Sequence, residues 1–106
     1  MESKRVLTFD VGYRFIRHTI VTDGVQDVPS AFATPTEDSE ALLDSVANVV
    51  RQQREPISGI ALSLPGFVDV EKQRTITGGA INALYKQNVG DELRRRLGGR
   101  LPIWME

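Results

Sequence analysis

The chain reads as an α/β protein, a mixed sheet covered by helices. Three observations point there. Asp23-Gly24 separates two runs rich in β-branched and aromatic residues, which is a strong two-residue hairpin signal. Residues 57–64, Ile-Ser-Gly-Ile-Ala-Leu-Ser-Leu, are largely apolar on both faces, as a central parallel strand should be. Leu42, Leu43, Val46, Ala47, Val49 and Val50 recur at helical spacing and make one apolar stripe.

Taken in order, Val6 to Val11 is a short buried strand ending in Asp10-Val11-Gly12, where glycine permits a tight turn. Tyr13 to Thr22 is a second strand. Val25 to Phe32 returns antiparallel to it after Asp23-Gly24, and Pro29, which cannot donate to a ladder, makes this third strand an edge. Pro35-Thr36 opens a helix whose acidic first turn, Glu37, Asp38 and Glu40, suits the helix dipole; it runs to about Arg54 and Pro56 stops it. After the 57–64 strand, Pro65-Gly66 breaks the chain direction, and Phe67 to Thr77 is a small hairpin or extended loop with a charged tip. Asn88 is placed to cap a second helix with Val89, Leu93 and Leu97 inward, and Gly98-Gly99 ends it. Leu101 to Met105 is a last strand.

Composition narrows the function classes. At 106 residues the chain fits one domain with a real core. A net charge of −1 is unsuited to non-specific nucleic-acid binding, so no nucleic-acid partner is expected. There is no cysteine, which excludes disulfides and thiolate metal sites. The polar start, Glu2, Ser3, Lys4 and Arg5, lacks the apolar region of a signal peptide, and no run has transmembrane length. A cytoplasmic location with no membrane partner is therefore the expectation.

Two glycine-bearing runs carry the chemistry: Leu64-Pro65-Gly66-Phe67-Val68-Asp69 and Ile76-Thr77-Gly78-Gly79-Ala80-Ile81. Adjacent glycines allow the backbone to approach something closely. With the strand Val6-Leu7-Thr8-Phe9-Asp10-Val11-Gly12, they resemble the sugar kinases of the ROK family, within the actin-like ATPase superfamily. The β-glucoside kinase branch is the most similar, because it carries Gly-Gly-Ala-Ile at this place. The resemblance covers the whole chain, and the chain covers the first lobe of such an enzyme: residues 1–106 are expected to be the N-terminal lobe, with the C-terminal lobe absent.

This resemblance implies a ribonuclease-H-like sheet with strands in the order 3-2-1-4-5, and ATP- and Mg²⁺-dependent phosphorylation of a hexose or β-glucoside. It assigns Asp10 to Mg²⁺, and Asp10, Gly12 and Arg14 to the nucleotide, whose phosphates meet backbone N–H groups where side chains are small. The family continues Gly-Thr after this glycine, whereas this chain has Tyr13-Arg14: a bulkier turn, with a guanidinium able to bind phosphate itself. An ordinary hairpin with Asp10 capping its turn is the alternative. Pro65, Gly66, Gly79 and Ala80 are assigned to the sugar through backbone contacts, with Asn82 replacing an asparagine that many family glucokinases have near Ala80. Glycines serving turns alone are the alternative there.

The family's general base follows the strand matched by Leu101 to Glu106, so no catalytic residue is assigned within this chain and the 106 residues alone are expected to be inactive. A non-catalytic sugar-binding or regulatory ROK-like protein is the rival reading, favoured by Tyr13-Arg14. His18, between Ile16 and Ile20, reads as a satisfied half-buried residue, and Arg94-Arg95-Arg96 as a solvated helix face. Trp104 reads as core or interface, and a homodimer is compatible with that.

Overall fold

The computed structural model describes residues 4–99 and 101–106; Glu2 and Ser3 of the polar start lie outside the described residues, as does Arg100. Its main sheet has six strands. β1 (Arg5–Val11) pairs antiparallel with β2 (Phe15–Thr22), and β2 pairs antiparallel with both β3 (Val25–Gln26) and β4 (Ser30–Ala33). On the other side β1 pairs parallel with β5 (Gly59–Ser63), and β5 with β8 (Ile103–Met105). β6 (Phe67–Asp69) and β7 (Arg74–Thr77) form a separate two-stranded hairpin. α1 (Ser39–Arg51) and α2 (Val89–Leu97) pack on one another, and a 3-10 turn spans Asn82–Leu84.

The expected strand order stands once the third strand is divided. Residues 25–32 form two short strands instead of one, and both lie beside β2. The break falls at Asp27-Val28-Pro29, where the proline has no N–H to give and Thr19 Oγ1 donates to the Asp27 carbonyl at 2.9 Å. The Asp23-Gly24 turn is as read, with φ of 50° and 85° at its two residues.

Element ends moved where side chains found other partners. α1 begins at Ser39, not Pro35, because the Asp38 carboxylate accepts the Ala41 N–H at 3.0 Å and acts as N-cap. It ends at Arg51, short of Arg54. Asn88 does occupy the N-cap position of α2, but its side chain makes no capping bond; the Gly90 N–H goes to the Gln73 carbonyl at 2.8 Å, so the β6–β7 hairpin caps this helix. Gly98, at φ 89°, closes α2 in the left-handed region.

Strand alternation sorts the sheet into two unequal faces. Leu7, Phe9, Val11, Ile16, Ile20, Ile60, Leu62, Ile103 and Met105 are buried with Leu42, Leu43, Val46 and Leu93 of the helices. Each such aliphatic side chain contributes about 1.5–3 kcal/mol by leaving water. The opposite parity (Thr8, Asp10, Arg17, Ala61, Ser63, Trp104) is half-buried or exposed. Among the described residues the helices therefore cover one face only, and Ala61 and Ser63 of the 57–64 run lie half-buried on the other.

Candidate functional site

Three parallel strands, β1, β5 and β8, end on the same side of the sheet, and open α/β sheets bind ligands outside such carboxyl ends. After β1 comes the turn Gly12-Tyr13-Arg14, and after β5 comes Leu64-Pro65-Gly66. β8 ends beside β5, where Glu106 N–H donates to Leu62 O at 3.0 Å and Leu64 N–H to Glu106 O at 2.9 Å. A depression of about 280 Å³ lies here, lined by Thr8, Ala61, Ser63, Trp104 and Glu106 among others.

The turn after β1 is tight. Gly12 N–H donates to Phe15 O at 3.0 Å, and a Cβ at Gly12 would meet that same oxygen at 3.0 Å. Asp10 is exposed on the open sheet face, in register with Ser63 of β5 and Arg17 of β2. Tyr13 is 56% exposed and Arg14 is exposed, so neither side chain is folded into the turn. A Mg²⁺-bound triphosphate suits this donor set: one free carboxylate for a cation that keeps its water, one guanidinium and a tight backbone turn for phosphate oxygens. No cluster of three or more His, Cys, Asp or Glu suited to a metal occurs among the described residues, so a cation here would take its other ligands from phosphate and water.

The second set of expected residues forms one junction. Gly66 has φ 82°, and a Cβ there would fall 2.3 Å from Thr77 O and 2.8 Å from Gly79 N. Only glycine lets these two loops touch. Gly78 is equally constrained, its Cβ position 2.4 Å from Leu84 Cβ, which lets the 3-10 turn pack beneath. Gly79 differs: φ is 61°, nothing lies within 4 Å of its Cβ position, and the residue is exposed although its nitrogen lies beside Gly66. Ala80 is exposed beside it and Pro65 is half-buried. Asn82 is exposed, but its amide donates to Glu37 Oε2 at 2.9 Å and Oε1 at 3.2 Å, so that group is already engaged.

Segment 34–39 links the two sets, and sequence reasoning missed it. Thr34 Oγ1 donates to Gly12 O at 2.7 Å and Thr34 N–H to Arg14 O at 3.0 Å. Ala83 N–H donates to Thr36 O at 2.9 Å, and Ser39 Oγ to Ala83 O at 2.7 Å. Partners this far apart in the chain leave no local pattern to read. Ser63, beside Asp10, was also missed.

The remaining candidates are structural. His18 is half-buried between the Phe9 and Phe32 rings, each centroid 5.9 Å away, and burial lowers its pKa from the ordinary value. The arginine run is not a solvated face: the Arg96 side chain is 6% exposed and joins Glu40 and Asp44 of α1 to Glu92 of α2. Its position four residues after Glu92 puts it on the buried side, while Arg95 stays outside. Hydrogen bonding to Asp44 raises the Arg96 pKa, and Arg95 and Arg96 together lower that of Glu92. Trp104 is 48% exposed on the open face, its ring over Gly59, where a Cβ would be 2.5 Å from Cζ3, with Lys4 Nζ 5.9 Å from the ring centre.

No family model and no curated protein matches the chain. Solved structures do. A ROK family protein from Streptococcus pneumoniae TIGR4, in complex with sucrose, is 27% identical with a TM-score of 0.80, over 96% of this chain and 34% of that one. A ROK family glucokinase from Streptomyces griseus, in complex with glucose and AMPPNP, is 20% identical with a TM-score of 0.82, over 96% and 32%. A ROK family transcriptional regulator, a homolog of the E. coli MLC protein, is 17% identical with a TM-score of 0.80, over 95% and 27%. The chain thus spans about a third of the length of the structures it matches. The resemblance read from the sequence stands in the fold: the chain matches ROK-family structures over 96% of its length, and α/β with a mixed sheet is its class. Neither α1 nor α2 is long and apolar enough to cross a membrane.

Proposed function

We propose that these 106 residues form the N-terminal lobe of an ATP-dependent sugar kinase acting on a hexose or β-glucoside. The observation that carries this reading is the glycine junction. Gly66 and Gly78 are compelled by packing, whereas Gly79 is exposed at positive φ with open space where a side chain would sit. Positive φ with open space also suits a plain turn, as at Gly24 and Gly98. What supports a sugar at Gly79 is its place beside the packed Gly66 junction at the carboxyl ends of the strands, where exposed backbone can meet sugar hydroxyls.

In this reading Gly66, Gly79 and Ala80 orient the sugar, while the Gly12 turn and Arg14 hold phosphate oxygens and Asp10 holds the hydrated cation. When bound, Mg²⁺·ATP supplies the transferable phosphoryl group and much of the charge neutralisation. Phosphoryl transfer depends on positioning and electrostatics in a closed cleft. These residues supply one wall of it and no assigned general base, so the 106-residue chain alone is expected to show no sugar-dependent turnover. The test is a coupled kinase assay of the complete protein and of this chain against several hexoses and β-glucosides. Turnover by the complete protein alone supports the reading; turnover by neither sinks the kinase.

A second reading, a sugar-responsive regulator without catalysis, has one observation in its favour. Tyr13-Arg14 replaces the Gly-Thr of the kinases in the nucleotide turn, and a regulator shares the fold. Sugar binding without nucleotide binding in the complete protein would select it.

A further inference from the structure

We propose that Thr34 is a positioning residue for nucleotide, holding the Gly12-Tyr13-Arg14 turn in the orientation that presents the Tyr13 N–H; this rests on the kinase reading of that turn. Thr34 follows β4, is half-buried, and reaches the turn from the side of the edge strand. Its hydroxyl donates to Gly12 O at 2.7 Å and its amide to Arg14 O at 3.0 Å. Both bonds take a carbonyl, and the two carbonyls lie on either side of the Tyr13-Arg14 pair.

The consequence follows from peptide geometry. In a trans peptide the C=O and the following N–H point in opposite directions. The Gly12 carbonyl is drawn toward Thr34, so the Tyr13 N–H of the same peptide unit is directed away from it. An incoming phosphate then meets a donor in place of an acceptor, and a carbonyl dipole that would repel an anion is already satisfied. This also explains how the turn can tolerate Tyr13: the backbone is fixed from behind, while the ring, 56% exposed, lies outside it. With the kinases' small Gly-Thr pair replaced, Thr34 provides the order that the turn's own residues do not.

The test uses the complete protein, Mg²⁺·AMPPNP as the nucleotide probe and glucose as the sugar probe. Thr34→Val keeps shape and the amide bond but removes the hydroxyl; Thr34→Ser keeps the hydroxyl. Calorimetry should show nucleotide binding weakened about tenfold by Thr34→Val, equal to about 1.4 kcal/mol, and within about twofold of wild type for Thr34→Ser. Sugar affinity should be unchanged in both. In the wild-type protein, exchange of the Tyr13 amide hydrogen should slow when nucleotide binds, a readout independent of any variant's folding. Equal nucleotide affinity for Thr34→Val and wild type, or a Tyr13 amide indifferent to bound nucleotide, overturns the role of Thr34 and leaves the kinase reading standing. A wild-type protein that binds no nucleotide overturns both.

Discussion

In the proposed kinase reading the junction at Gly66 and the turn at Gly12 each bring backbone to a ligand, and they are held by opposite means. At the junction the order is written into residue type: loops cross where no Cβ fits, 2.3 Å from a carbonyl. At the turn the glycine is only moderately confined, at 3.0 Å, and a distant side chain, Thr34, does the holding. The first kind of site is visible in a sequence as a run of glycines; the second is invisible, because threonine at the end of a strand has no signature.

The contrast can be broken at its strongest point first. Gly66→Ala places a methyl on Thr77 O at a positive φ, combining overlap and backbone strain, and should lower stability by about 2–4 kcal/mol. Chemical denaturation measures it; a loss below about 1 kcal/mol, the cost of the left-handed region alone, would show that the loops simply part. Gly12→Ala should cost less, about 1 kcal/mol, since its neighbour needs to yield by only a few tenths of an ångström. Equal losses at the two glycines would erase the distinction between them.

A smaller effect concerns β2, the strand that leaves the turn. His18 is held below its ordinary pKa by burial, so the unfolded chain binds its proton more readily than the folded one. Its contribution is therefore complete above about pH 6.5 and is lost as pH falls below that, toward the lowered folded value, with a slope of at most about 1.4 kcal/mol per pH unit. His18→Phe, which keeps ring contact with Phe9 and Phe32, should flatten the stability difference between pH 7 and pH 5 relative to wild type. An unchanged profile would mean that the ring is hydrated in the fold.

Much of the architecture was legible because its causes are local. Asp23-Gly24 fixes a turn through its own φ preference, and the helical stripe from Leu42 to Val50 fixes which face packs. What could not be read had distant causes. Pro35 to Glu37 looked like helix, yet Thr36 serves the Ala83 amide and Glu37 the Asn82 side chain, so the helix waits for Asp38. Asn88 looked like a cap, but Gln73 takes that role from another element. The triple arginine looked solvated because its carboxylate partners on α1 are more than fifty residues away. In the candidate site, Gly66 and Gly79 stand out because glycine is conspicuous, whereas Thr34, bonded to the Gly12 turn, and Ser63, in register with Asp10, have no signature in the sequence.

The central claim is that Gly79 keeps a bare backbone for a sugar, and one substitution addresses it. Gly79→Ala adds a methyl in open space at φ 61°, so stability should fall by only about 1 kcal/mol. Calorimetric titration of the complete protein with glucose and with Mg²⁺·AMPPNP should then show sugar affinity reduced by about tenfold or more, with nucleotide affinity unchanged. Sugar affinity equal to wild type in a folded Gly79→Ala protein would contradict the account.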